Sequence, residues 1–216
     1  MTSRADLAER RLYLCTPDRP DLVAFLSACI DGGVDVVQLR DKQLDARPLL
    51  ERARLALSVC RDRGVPFVLN DRPDLALEVG ADGVHVGQDD APVSLARRIL
   101  GRDVIVGLST HRTEELELAV AEDVDYVSAG PVEPTPTKPG RPGTGITYVQ
   151  QASARSTVPV FVTGGVTPER IPALARAGVR HFVVVRYLTE ATDARASARA
   201  LRDAIERALS SEPPAA

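Results

Sequence analysis

The chain has 216 residues, 44% of them hydrophobic, and a formal charge of 27 − 30 = −3 with pI near 5.7. That is enough apolar material for one sizeable core, so residues 1–216 read as a single domain with residues 1–10 and 210–216 as flexible termini. A slightly acidic balance, 4% aromatics and no Trp argue against a nucleic-acid partner, and no basic run points to a membrane surface.

No apolar run is long enough for a signal peptide or a membrane span. The three cysteines, Cys15, Cys29 and Cys60, are odd in number and lack CxxC spacing, which fits reduced thiols in a cytoplasmic protein.

In chain order, short β-branched runs alternate with amphipathic stretches. Residues 11–16 (RLYLCT) predict a strand. Residues 21–31 follow with apolar positions Leu22, Phe25, Leu26, Cys29 and Ile30 at helical spacing. The pattern repeats as strand 35–40 and helix 45–63, then strand 66–70 and helix 73–79. Next come strand 83–87 and helix 91–100, then strand 104–109 and helix 112–122.

A sixth strand, 126–129, leads into a long loop and a weaker helix at 146–155. Strand 158–163 precedes a helix that Thr167 can cap, with Pro168 at its first position and Gly178 past its end. Strand 181–185 and helix 193–209 close the series. Eight strand–helix pairs with continuously apolar strands predict a (β/α)8 TIM barrel of class α/β. A doubly wound open sheet is the alternative, but no GxGxxG follows the first strand.

Barrel active sites lie at the C-terminal ends of the strands. There this sequence places Gln38, Arg40 and Lys42, which share one side of the second strand by alternation. The third strand ends in Asn70 and Asp71, the fourth in Gln88, Asp89 and Asp90, and the fifth in Ser109, Thr110 and His111. The seventh ends in Gly164-Gly165 and the eighth in Val185-Arg186. Any one polar pair is ordinarily a solvated loop end, but together they have a chemistry. Arg40, Lys42 and Lys138 form a cationic patch fit for a diphosphate. Asp71 and Asp90 are the usual provision for Mg2+. The Gly164-Gly165 turn offers backbone N–H groups to a second anion.

His85, inside the fourth strand, reads as a hydrogen-bonded core residue. The three histidines form no metal-binding cluster, and no GxSxG elbow is present.

The stretch 126–145, YVSAGPVEPTPTKPGRPGTG, is the most unusual in the chain. Its prolines stiffen the loop and its glycines permit tight turns. Thr135, Thr137 and Lys138 then present two hydroxyls and an ammonium from one platform, which suits a phosphate. On composition alone a Pro-rich surface linker fits equally well. The strand feeding the loop and the polar clusters at the other strand ends favour the ligand platform.

These residues resemble the thiamine phosphate synthase family over residues 12–188. The resemblance is carried by QLRDK at 38–42, LND at 69–71, GVHVGQDD at 83–90, GLSTH at 107–111, GPVEPTPTKPG at 130–140 and TGGVTPE at 163–169. It implies two phosphorylated small-molecule substrates. An aminomethylpyrimidine diphosphate would be joined to a thiazole phosphate, or its carboxylated form, to give thiamine phosphate and diphosphate.

By matching position, the resemblance assigns Gln38, Leu39, Arg40, Asp41, Lys42, Asn70, Ser109 and Lys138 to the pyrimidine diphosphate, with Arg40, Lys42, Ser109 and Lys138 catalytic. It assigns Thr135, Pro136, Thr137, Gly165, Val185 and Arg186 to the thiazole phosphate, and Asp71 and Asp90 to Mg2+.

At one position the chain departs from the family pattern. A Ser commonly follows the Val of the eighth strand, where this chain has Arg186. A backbone N–H contact would tolerate Arg186, whereas a hydroxyl contact would be lost. The alternatives are a thiazole tautomerase of the same fold, which would not need the diphosphate cluster, and a catalytically silent phosphate-binding protein, which would have lost the carboxylates. Oligomeric state is left open, a homo-oligomer included.

Overall fold

Eight parallel strands close on themselves in sequence order, β1 Leu12–Thr16, β2 Val36–Leu39, β3 Phe67–Asn70, β4 Gly83–Val86, β5 Ile105–Thr110, β6 Tyr126–Ala129, β7 Val160–Val162 and β8 His181–Val184. The ring is sealed by β8 pairing with β1. The structure is a computed structural model describing residues 4–135 and 142–210. It is the expected single-domain (β/α)8 barrel, and closure rules out the open doubly wound sheet.

Each strand residue is buried, because one face packs inward and the other against helices. The helices are α1 Leu22–Asp31, α2 Ala46–Arg61, α3 Pro73–Val79, α4 Val93–Leu100, α5 Thr113–Ala121, α6 Gly145–Arg155, α7 Ile171–Arg176, α8 Arg186–Thr189 and α9 Ala194–Ser210. α2 shows why they dock: Leu49, Ala53, Ala56, Leu57 and Cys60 recur at helical spacing and are its buried stripe.

Two cores result. The larger lies between barrel and helices. The smaller fills the barrel itself with Leu7, Tyr13, Val36, Val68, Ile105, Tyr126, Phe161 and Val183 among others. Register explains the inner layers: Tyr13 lies beside Val36 and Val183, and Gly107 beside Tyr126. Gly107 is required there. A Cβ on it would lie 2.1 Å from Cζ of Tyr126, so the missing side chain is the space the Tyr126 ring occupies.

One aspartate device recurs at the lower rim. Asp35, ahead of β2, accepts from Arg11 N and Leu12 N at the start of β1. Asp82, ahead of β4, accepts from Phe67 N, and Asp125, ahead of β6, accepts from Val106 N. Each supplies an acceptor to a strand's first N–H groups.

Several boundaries differ from the sequence reading. Part of the stretch read as a flexible terminus, Arg4–Glu9, forms a 3-10 helix, and its Leu7 is buried in the barrel's inner core. Thr167 does not cap α7, which begins only at Ile171. Residues 168–170 form turns, and Thr167 instead offers its carbonyl to Arg170 N and Ile171 N. The four-residue α8, directly after β8, was not expected. It is too short for a periodic signal.

Cys15, Cys29 and Cys60 are buried and form no disulfide. Burial pushes the Cys29 and Cys60 thiols up to about 12.

Candidate active site

A cavity of about 860 Å3 opens at the C-terminal ends of the strands. Its walls bring together Gln38, Arg40 and Lys42 from β2 and its loop, Asn70 and Asp71 from β3, Asp90 after β4, and Ser109 from β5. Across the mouth stand Thr135, Gly165, Val185 and Arg186.

Leu39 and Asp41 lie elsewhere. Strand alternation turns Leu39 into the outer core, where it is fully buried. The Asp41 carboxylate accepts from Gln43 N, Leu44 N and Asp18 N, so it shapes the loop after β2. Pro136, Thr137 and Lys138 lie outside the described residues.

Lys42 Nζ is 2.7 Å from Asp71 Oδ2. Asp71 has φ +61, a left-handed conformation rare outside Gly, Asn and Asp. Burial pushes its carboxyl above the usual range, with the neighbouring Asp90 adding to the shift and Lys42 opposing it. Asp90 goes the other way. Burial works against its charge, but hydrogen bonds with Asp71 and from Gly87 N, 2.9 Å away, hold it low. Two carboxylates in contact, with opposite shifts, form one acidic pair. Among the described residues no group of three or more His, Cys, Asp or Glu side chains could hold a metal ion.

The wall facing this pair is built from the loops after β6, β7 and β8. Val132 N donates to Thr163 O at 2.8 Å, tying the β6 loop to the end of β7. Gly164 makes that approach possible: with φ +97, a Cβ on it would fall 2.6 Å from Val132 N. Gly165 has φ +76 and sits beneath the ion pair of Arg170 and Glu133. Arg186 is the first residue of α8, and Val185 is its N-cap.

The floor contains groups that strand alternation alone underplays. His85 is buried and hydrogen-bonded, as expected of a core residue, yet it also lines the cavity. Its Nδ1 is 2.9 Å from Tyr126 Oη and its Nε2 is 2.9 Å from Ser109 Oγ. Tyr13 Oη lies 2.9 Å from Tyr126 Oη, and Gln38 Nε2 donates to Tyr13 Oη at 2.8 Å. Cys15 Sγ donates to Gln38 Oε1 at 3.2 Å. Tyr13 and Tyr126 read as apolar strand residues in sequence. The signal that could have found them is alternation: Tyr13 shares its side of β1 with Cys15, and Tyr126 shares its side of β6 with Ser128, and all four line the cavity. Gln88 joins the rim by donating from Nε2 to Ser109 O at 2.7 Å.

A closed barrel with this polar mouth is a (β/α)8-barrel enzyme for small-molecule substrates. A family model described as thiamine monophosphate synthase matches residues 12–188, and the chain belongs to that family. It is 45% identical over 212 residues to the thiamine-phosphate synthase of Mycobacterium sp. (strain JLS), covering 92% of this chain and 94% of that one. It is 45% identical over 195 residues to the thiamine-phosphate synthase of Acidothermus cellulolyticus, covering 88% and 92%. Among solved structures, the thiamine phosphate pyrophosphorylase from Pyrococcus furiosus aligns with a TM-score of 0.84 and 29% identity over 92% of this chain and 96% of that one. No described helix is long and apolar enough to cross a membrane.

Proposed function

We propose that this protein is a thiamine-phosphate synthase, joining an aminomethylpyrimidine diphosphate to a thiazole phosphate with release of diphosphate. The observation that carries the reading is the convergence of Gln38, Arg40, Lys42, Asn70, Asp71, Asp90 and Ser109 on one cavity. A tautomerase would not call for this cationic and acidic cluster, and a silent binding protein would not keep both carboxylates.

The bond that breaks joins the pyrimidine's methylene carbon to a diphosphate oxygen. The diphosphate leaves with the electron pair, and the thiazole nitrogen's lone pair forms the new C–N bond. No protein nucleophile is needed. Arg40, Lys42 and, by the family resemblance, Lys138 would stabilise the negative charge that grows on the leaving oxygen. Ser109 and Asn70 supply neutral donors to the same group. Thr135, Gly165, Val185 and Arg186, with Thr137 and Pro136 from the sequence, would hold the thiazole phosphate on the opposite wall. Holding both partners in line is itself worth several kcal/mol of the barrier.

The paired carboxylates fit a hard divalent cation, because two crowded carboxylate oxygens gain from a shared positive charge. Asp71 and Asp90 would hold Mg2+, with substrate oxygens and water completing its shell. When bound, the ion supplies charge neutralisation to the diphosphate.

The test is to mix the protein with both phosphorylated substrates and Mg2+ and to look for thiamine phosphate by mass spectrometry. Product is expected, and excess chelator should abolish it. No product under any divalent ion overturns the reading. Full activity in chelator overturns the metal role.

A further inference from the structure

Below the cavity, Gln38, Tyr13, Tyr126, His85 and Ser109 form one unbroken chain of hydrogen bonds across the barrel. The members come from β1, β2, β4, β5 and β6, and all are buried. Donor counting gives the chain a direction. Gln38 Nε2 donates to Tyr13, so the Tyr13 proton turns to its other partner, Tyr126 Oη. Tyr126 then has one acceptor left for its own proton, Nδ1 of His85. In the neutral tautomer that this direction requires, His85 carries its proton on Nε2 and donates it to Ser109 Oγ. Ser109 accepts from below, which leaves its hydroxyl proton for an acceptor in the cavity. At the other end Cys15 holds Gln38 Oε1, which leaves the second Nε2 proton of Gln38 for the cavity as well.

We propose that Tyr126 is a positioning residue: acting through Tyr13 and His85, it sets Gln38 and Ser109 as hydrogen-bond donors toward the bound substrate. Tyr126 touches no substrate itself. Its ring is locked in the space left by Gly107 and stacks on His85 with centroids 5.5 Å apart, so its hydroxyl cannot swing to another partner. Burial also raises the phenol pKa of both tyrosines, which keeps them protonated donors at working pH. Two donors preset toward an anion cost no reorganisation when charge develops.

The role of Ser109 as a substrate donor rests on the proposed function; the direction of the chain does not. The experiment therefore has two arms on the full-length protein. In the first, 15N-edited NMR of the three histidines reads the tautomer of each, with His85→Asn used for assignment. His85 should appear with Nε2 protonated and Nδ1 bare, and Tyr126→Phe should shift it toward a mixture. A wild-type His85 protonated on Nδ1, or a spectrum untouched by Tyr126→Phe, overturns the proposal.

In the second arm, single-turnover condensation is measured for Tyr126→Phe, Ser109→Ala and the double variant. Tyr126→Phe should lose about tenfold, the scale of one hydrogen bond to a charged group. The double variant should be slower than Ser109→Ala alone by clearly less than the full Tyr126→Phe loss, since the two variants share the Ser109 donor and only the Gln38 arm is left to lose. Multiplying losses would show Tyr126 to be merely structural. A wild type that makes no thiamine phosphate would defeat the proposed function, while the tautomer would still decide the direction of the chain.

Discussion

The ammonium of Lys42 sits 2.7 Å from Oδ2 of Asp71, so a cation of the mouth is tied to one of its two paired carboxylates. The contact has an energetic reason. Asp71 is partly buried against Asp90, and without a cation the two carboxylates would repel at short range. Lys42 relieves that repulsion until something else does. A bound divalent ion would take over the carboxylates and leave Lys42 for the diphosphate.

Lys42 and a divalent cation therefore compete for the same oxygens. Lys42→Ala should bind Mn2+ alone several-fold more tightly than the wild type, as read by electron paramagnetic resonance of free Mn2+. The same variant should lose about a hundredfold or more in single-turnover condensation, the scale of one preorganised electrostatic donor. Weaker Mn2+ binding in the variant would show that Lys42 supports the metal site and does not compete with it.

Arg186 stands at the start of α8 on the wall away from the carboxylate pair. Arg186→Ser should shift the KM for the thiazole phosphate several-fold and leave that for the pyrimidine diphosphate nearly unchanged. Equal shifts for both substrates would mean the two anion positions have been assigned wrongly.

His181 governs a stability effect at the lower rim. Burial pushes its imidazole down to about 4 from an ordinary 6.5, with a hydrogen bond to Arg10 O opposing the shift. The folded state thus keeps His181 neutral where the unfolded chain binds a proton. Between pH 6.5 and about 4 the unfolded state gains protons first, so stability from this group is complete above pH 6.5 and falls as pH drops. The loss approaches about 3 kcal/mol at the acid end. Urea unfolding at pH 7, 5.5 and 4 should show this slope, and His181→Gln should flatten it. An equal slope in the variant would assign the acid loss to other groups.

Much of this was legible in the amino-acid order. Eight apolar runs and the glycines and prolines between them were enough for the barrel, because parallel strands buried on both faces leave a distinctive pattern. The errors fall where local signals are weakest. The turns at 168–170 delayed α7 past its apparent cap, and α8 is a single turn with no period to read. Of the QLRDK run, alternation alone was enough to choose Gln38, Arg40 and Lys42 for the mouth, and those three line the cavity while Leu39 and Asp41 do not.

The sequence by itself determined the strand order, the residue types at the strand ends and the family pattern, since those depend on periodicity and local chemistry. Only the tertiary structure decided which side chains touch. Lys42 and Asp71 are far apart in sequence, as are His85, Tyr126 and Ser109, and each contact depends on barrel closure and strand stagger. The space for Tyr126 shows the reason most directly. It exists because Gly107 on the neighbouring strand has no side chain, a fit between two residues that no single stretch of the chain encodes.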